Sequence, residues 1–366
     1  MSTSFYSKPL GICPSIIDIL KYDFTSVNSN EQSDYCNDGT SKSNDDGVCE
    51  VNKMLQNMST TDDNNNDVSV CANCGKEGSE VTNTCNKCKM VKYCNAACKK
   101  KHRKKHKKDC EEHLRLAAER AAKLHDEALF KQPPLPFDDC PICFLRMPSL
   151  ISGSTYMACC GKLICNGCKY AVDCTTKKDY LCAFCRTPNA YSRESNLESI
   201  KKRAETGDPI AMYSLGSYFA EGSLGLPHDH TKAIELWHQA GDLGNSSAYC
   251  NIGYSYDVGR GVEVDQKKAT HYYELAAMAG NDNARKNLGC VEEDAGNADR
   301  ALKHWMIAVR GGNANSLVGI QRLYSKGHAT KEDYSKALRV FQEYLNEIKS
   351  AQKDAAAAAS AQFRYY

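Results

Sequence analysis

The sequence predicts a multidomain protein: a disordered N-terminal tail, two small cysteine-built modules, and an all-α solenoid of helical hairpins. Three observations carry this. Most of the 21 cysteines fall into ligand-spaced series between residues 71 and 185. From Ala211 onward a unit of about 36 residues repeats. Residues from about Thr25 to Val70 are rich in Ser, Asn and Asp and poor in large apolar side chains, so burial cannot offset the entropy of ordering them.

A chain of 366 residues has room for two or three independent units. Its net charge of +2, from 47 basic and 45 acidic residues, gives no overall reason to expect nucleic acid or an anionic membrane as partner. In a small secreted protein so many cysteines would signal disulfides. In a chain of this size, paired as Cys-x-x-Cys, they signal metal binding in a reducing compartment. No apolar run approaches the roughly 18–20 residues that cross a bilayer. The stretch Ile16-Ile17-Asp18-Ile19-Leu20 is too short and too interrupted for a secretory signal. The expectation is a soluble protein of the cytoplasm or nucleus. Residues 1–70 are read as disordered tail, including the apolar segment Leu10 to Phe24, which receives no role.

Residues 71–110 hold Cys71-x2-Cys74, Cys85-x2-Cys88, Cys94-x3-Cys98 and His106-x3-Cys110. Eight thiol and imidazole ligands fill two closed tetrahedral zinc sites. Together with Tyr93-Cys94 and His106-Lys107, the series resembles a MYND finger. That resemblance implies interleaved sites, Cys71, Cys74, Cys94 and Cys98 holding one zinc and Cys85, Cys88, His106 and Cys110 the other. Sites with four protein ligands have no open position for water or substrate, so this zinc is structural. Fingers of this family commonly bind short proline-containing peptides, but the tryptophan often found five residues after the sixth ligand is Arg103 here. The basic run Lys99 to Lys108 is read as a solvated ligand helix, with RNA or an acidic partner as the alternative. A helical linker occupies 111–136: a charged helix to about residue 131, stopped by Pro133, Pro134 and Pro136.

Residues 137–190 repeat the chemistry with Cys140-Pro141-Ile142-Cys143, Cys159-Cys160-Gly161-Lys162, Cys165-x2-Cys168 and Cys182-x2-Cys185-Arg186. This order resembles a RING finger, but Lys162 stands where a RING normally has its histidine, and a protonated lysine is no zinc ligand. Either Cys159 and Cys160 both ligate, or Cys160 ligates alone and Cys174 or another group completes the site. On the first alternative, the resemblance implies one zinc on Cys140, Cys143, Cys165 and Cys168 and another on Cys159, Cys160, Cys182 and Cys185, about four structural zincs in all. RING ligases dock a ubiquitin-conjugating enzyme through an apolar residue between the first two ligands and another between the last two, here Ile142 and Phe184. A basic residue often follows the last ligand, and Arg186 matches it.

Residues 194–350 carry the repeats. Ala211, Ala248, Ala284 and Ala314 each precede by five residues Gly216, Gly253, Gly289 and Gly319, and Lys232-Ala233, Lys268-Ala269 and Lys336-Ala337 follow about 16 residues later, with Arg300-Ala301 in the matching place of the shorter third unit. Gly-Asn pairs begin at residues 244, 280 and 312. Each unit is read as a helical hairpin with an apolar stripe such as Ile234, Trp237 and Tyr272, Leu275. The best unit, Ala248-x3-Ile252-Gly253-x2-Tyr256-x2-Gly259-x-Gly261-Val262, resembles Sel-one-like repeats of the tetratricopeptide class. About three and a half hairpins are expected, residues 194–207 forming a capping half-unit. Cys250 and Cys290 are read as buried packing residues. Residues 351–366 form a tail, with Ala355 to Ala359 a frayed helix.

No constellation for nucleophilic or acid–base catalysis is present, and no segment has room for a methyltransferase domain. Two functions stay open. One is a RING-type ubiquitin ligase that docks a conjugating enzyme and recruits its substrate through the repeats and the MYND-like finger. The other is a non-catalytic adaptor that binds a scaffold partner.

Overall fold

The computed structural model describes residues 69–131, 139–148, 153–175, 181–188, 193–360 and 363. The expectations for residues 1–68 and for Pro133, Pro134 and Pro136 lie outside them. The described residues form two compact units, one ending at Ala128 and the other beginning at Leu129.

In the first unit a two-residue antiparallel ladder, β1 (Asn83–Thr84) against β2 (Lys92–Tyr93), precedes one long helix, α1 (Ala96–Phe130). The sequence divides this stretch at residue 110. The structure does not, because no Gly or Pro interrupts 35 residues rich in Ala, Lys, Arg, Glu and Leu. From Glu111 to Leu124 the helix is solvated, and its exposed face carries ion pairs such as Arg115–Glu112 (2.7 Å) and Lys123–Glu127 (3.9 Å), which water screens.

The second unit begins with a hairpin, β3 (Ser154–Met157) against β4 (Lys162–Cys165), followed by α2 (Asn166–Thr175). Next comes α3 (Arg193–Glu205), then four antiparallel pairs. These are α4 (Pro209–Glu221) with α5 (His230–Asp242), α6 (Ser246–Val258) with α7 (Gln266–Met278), α8 (Asp282–Asp294) with α9 (Ala298–Arg310), and α10 (Ala314–Ser325) with α11 (Lys331–Ile348). The array is thus four hairpins and α3, rather than three and a half hairpins.

The Gly-Asn pairs explain the regular turns. Gly244, Gly280 and Gly312 take φ of 94°, 89° and 94°, ending one helix, and the side chains of Asn245, Asn281 and Asn313 cap the next. The glycines at the repeat centres admit an aromatic ring. A Cβ on Gly216 would lie 2.8 Å from the Trp237 indole nitrogen, and one on Gly253 would lie 2.7 Å from the Tyr273 ring. In the third hairpin Trp305 meets Gly289 in the same way and donates from Nε1 to the Lys286 carbonyl at 3.1 Å.

The apolar stripe differs in register from expectation. Ile234 and Trp237 are buried, but in the second hairpin Tyr273 is the fully buried ring. Tyr272 is half-buried and stacks on Tyr256 at 5.8 Å, while Leu275 is also only half-buried. Alignment on Ala233 and Ala269 puts Tyr273, not Tyr272, level with Trp237.

Of the expected C-terminal tail, the described part is an ordered helix. Residues Ala351–Ala359 form α12, capped by Ser350 and packed on α2, with Ala356 and Lys353 buried. Among the described residues no helix is long and apolar enough to cross a membrane.

Candidate metal centres

Four turns share one backbone device. In Cys71-x-x-Cys74, Cys85-x-x-Cys88, Cys140-x-x-Cys143 and Cys182-x-x-Cys185, the N–H of the following residue donates back to the first cysteine's carbonyl. The donors are Gly75 (2.9 Å), Lys89 (3.1 Å), Phe144 (2.8 Å) and Arg186 (3.2 Å). All four are left-handed, at φ of 73°, 58°, 56° and 58°. Only Gly75 adopts this without steric cost; the other three hold a conformation that side chains disfavour by about 1 kcal/mol or more. In the first three pairs, backbone N–H groups also reach the first sulfur, that of Cys71, Cys85 and Cys140, which favours its thiolate form.

The thiols respond accordingly. Burial pushes Cys71 and Cys85 up, but backbone hydrogen bonds from neighbours including Cys74 and Cys88 outweigh it, bringing both down to about 6. The contact with Cys165 holds Cys140 down to about 4, against burial. The partner thiols move the other way: burial and crowding by neighbouring sulfurs push Cys94 up to about 12 and Cys110 up to about 11. Ligand atoms this close compete for protons until a cation replaces them.

The structure gathers the sixteen predicted ligands into four groups: Cys71, Cys74, Cys94, Cys98; Cys85, Cys88, His106, Cys110; Cys140, Cys143, Cys165, Cys168; and Cys159, Cys160, Cys182, Cys185. In each, all ligand atoms lie within 4.8 Å of one another. A zinc–sulfur bond of about 2.3 Å sets tetrahedron edges of about 3.8 Å. The observed separations approach that: Cys74–Cys94 at 3.6 Å, Cys85–Cys110 at 3.8 Å, Cys143–Cys165 at 3.8 Å and Cys160–Cys182 at 3.7 Å. Nε2 of His106 is 3.3 Å from Cys88 Sγ, identifying the nitrogen that faces the second centre. The chemistry of these donors fits four zinc ions. In both fingers the ligand pairs alternate between centres, a cross-brace.

Cys159 and Cys160 enter the fourth group together, whereas Cys174 is exposed on α2 and belongs to none. Lys162 is exposed on β4. Of the docking candidates, Ile142 is half-buried against the cysteine cluster, Phe184 is 37% exposed and Arg186 is exposed. Phe144, directly after the ligand Cys143, is 77% exposed, a position that ligand spacing does not single out. Cys250 is 3% exposed, and burial pushes its thiol up to about 12; Cys290 is half-buried.

The second finger is fastened to both ends of the helical array. Tyr156 Oη on β3 donates to Asp208 Oδ2 at 2.7 Å, and Arg203 Nε donates to the Ala158 carbonyl at 3.4 Å. On the other side Arg146 pairs with Glu347, donates to the Arg310 carbonyl at 3.2 Å and lies 4.9 Å from the Tyr344 ring centroid. Gly167 packs directly against Lys353 of α12.

These features define a zinc-finger protein with a helical repeat array, built for binding other proteins. More particularly, the chain carries a MYND finger, whose family model matches residues 71–110, and Sel1 repeats, matched at residues 209–245, 246–281 and 312–342. It is 27% identical over 112 residues to the ERAD-associated E3 ubiquitin-protein ligase component HRD3B of Arabidopsis thaliana, covering 30% of this chain and 17% of that protein. It is 27% identical over 122 residues to chitin synthase regulatory factor 4 of Schizosaccharomyces pombe, covering 33% and 19%. The chain thus spans less than a fifth of the length of either relative. Among solved structures it is similar to a Sel1 repeat protein from Oxalobacter formigenes, at 26% identity over 50% of this chain and 71% of that one, with a TM-score of 0.39.

Proposed function

We propose that this protein-binding adaptor is a RING-type ubiquitin ligase: its second finger docks a ubiquitin-conjugating enzyme, and the repeats and MYND finger recruit the substrate. The observation that carries this reading is the grouping of Cys159, Cys160, Cys182 and Cys185, which supplies four ligands where Lys162 had left the RING pattern one short. With both centres filled, the knuckles would present Ile142 and Phe184 as apolar contacts and Arg186 as a planar donor bridging enzyme and ubiquitin. No residue of this chain acts as nucleophile; catalysis comes from holding the thioester and the attacking lysine together. The likeness to a ubiquitin-ligase component over 112 residues supports the reading. The same proposal puts the protein in the cytoplasm or nucleus, where thiols stay reduced.

The half-burial of Ile142 favours a second reading, in which this finger is only a rigid platform of a non-catalytic adaptor. Autoubiquitination by the zinc-loaded protein with a panel of conjugating enzymes separates the two. Chains formed by wild type and lost in Ile142→Ala and Arg186→Ala, at unchanged zinc content, support the ligase. Inactivity with every enzyme, at about four bound zincs, leaves the adaptor.

A further inference from the structure

The third hairpin carries a group of charged and polar side chains that neither the metal centres nor the packing of the repeats uses. On α8, Arg285 is 0% exposed, Lys286 3% and Asn287 3%. The Nε and Nη2 of Arg285, the Nζ of Lys286 and both amide atoms of Asn287 have no hydrogen-bond partner. The only side-chain contact of the guanidinium within hydrogen-bond range is Nη1 to His304 Nδ1, at 3.5 Å. Burial pushes Arg285 down to about 10, against the pull of Asp282. Lys286 acts on Cys250, whose thiol burial holds up near 12. A guanidinium with only one nitrogen in reach of a partner and an ammonium with none, buried on consecutive residues of one helix, are among the costliest features a fold can hold. Such groups persist where a ligand completes them.

What lies beside these groups is also informative. Leu129, 0% exposed, packs with Cys250, Ala284 and Leu288. Phe130 packs on His304 at 4.6 Å between ring centroids, with Arg300 and Lys303 at 5.1 and 5.5 Å from its own. An aliphatic and an aromatic side chain in sequence are thus seated against the same α8–α9 surface, in a setting rich in cations. Arg300 is engaged by Glu292 at 2.6 Å and Lys303 is exposed to water, so the buried cations left to be satisfied are those of α8.

We infer that this surface of the second and third hairpins is a peptide-binding site for an acidic segment of a partner protein. The partner's apolar–aromatic pair takes the seats that Leu129 and Phe130 hold here, and a carboxylate follows onto Arg285 and Lys286. A carboxylate satisfies two guanidinium N–H groups at once, and the Asn287 amide matches a peptide unit with one donor and one acceptor. One helical turn before Leu129 and Phe130 their segment carries the carboxylate of Asp126, and Nε and Nη2 of Arg285 and Nζ of Lys286 still have no partner. Leu129 and Phe130 fill the apolar half of the site and leave the cationic half incomplete. The partner therefore competes with a resident segment, and its apparent affinity is reduced by the fraction of time that segment is seated.

The inference rests on the repeats being the partner-binding module of the proposed function. It remains testable whether or not the second finger transfers ubiquitin, because peptide binding is read separately from ubiquitin transfer. The probe is a fluorescein-labelled Ala-Leu-Phe-Glu-Glu-Glu peptide, titrated by anisotropy against the full zinc-loaded chain. Saturable binding is expected, tightening about tenfold in Leu129→Ala/Phe130→Ala and failing when glutamine replaces every glutamate in the peptide. Arg285→Gln in the double-variant background should abolish binding with the repeat helices intact by circular dichroism; if that variant does not fold, Lys286→Gln should weaken binding at least about tenfold. Absence of saturable binding to the double variant, equal binding of the glutamine peptide, or displacement by a single-stranded oligonucleotide as effective as by unlabelled peptide overturns the inference.

Discussion

The ammonium of Lys353, 1% exposed, donates to the carbonyl of Arg146 at 3.1 Å, joining the C-terminal helix to a loop of the second finger 207 residues earlier. The same nitrogen donates to the Ile348 carbonyl at 2.8 Å. A buried cation is tolerated here because two backbone dipoles meet it. Lys353→Met removes both bonds while keeping the stem, leaving buried carbonyls unpaired at a cost of about 1–3 kcal/mol. The expected result is a lower melting temperature and faster amide exchange in α2 and α12, with zinc content unchanged.

Gly167→Ala tests the contact from the other side. Its Cβ would fall 2.8 Å from Lys353 Cγ and 2.9 Å from the Lys353 backbone nitrogen, so α12 must move away. Overpacking of this kind costs about 1–3 kcal/mol. The variant should show the exchange pattern of Lys353→Met, whereas Gly296→Ala, with nothing within 4 Å but φ of 81°, should lose stability without affecting α12.

Zinc stoichiometry tests the fourth centre. Cys159→Ser and Cys160→Ser should each lower bound zinc from about four ions to about three, and Cys174→Ser should leave it unchanged. A loss in Cys174→Ser would mean that the thiol exposed on α2 closes the site instead.

Removing the metal should unfold the fingers and spare the repeats. The fingers rest on small cores, Cys71, Val81 and Tyr93 in one and Met147, Met157 and Ile164 among the cysteines of the other. Chelation converts metal-binding free energy into lost folding free energy. The repeats have their own cores around Trp237, Tyr273 and Trp305, so most helical ellipticity should survive chelator and vanish only on heating.

Acid should loosen the joint between the third and fourth hairpins. Burial pushes Glu293 up, but hydrogen bonds from Arg322 (3.0 Å) and Lys326 (3.1 Å) outweigh it and hold the carboxyl below its ordinary 4.5. A carboxyl lowered on folding stabilises above its unfolded value, and that stability is lost as pH falls through the folded one. Urea midpoints of wild type should therefore fall toward those of Glu293→Gln as pH drops below about 4.5.

The ligands were legible in the sequence because metal binding depends on residue type and short spacing, both of which are local. The missing histidine was not resolvable there: that Cys159 and Cys160 converge with Cys182 and Cys185 is a tertiary fact about where β3 and β4 lead the chain. The repeat period was legible through Ala and Gly at close helix contacts, and aligning Ala269 with Ala233 already puts Tyr273 level with Trp237; a stripe at three-residue spacing picks Tyr272 instead because two adjacent tyrosines give no contrast in residue type. Ala355 to Ala359 read as a frayed helix within a tail because the decisive side chain just before them, Lys353, is charged. Nothing local says that its partner is a backbone carbonyl near residue 146.

The fastening of the second finger to both Asp208 and α12 has a consequence for how such a chain can evolve. An open solenoid lengthens freely, since each repeat touches only its neighbours. Here the first and last helices of the array answer to one small finger, so a duplicated hairpin would carry α12 away from Arg146 and Gly167. The finger acts as a gauge on copy number: new specificity can come from altered surfaces on the existing hairpins, but not from adding to their count.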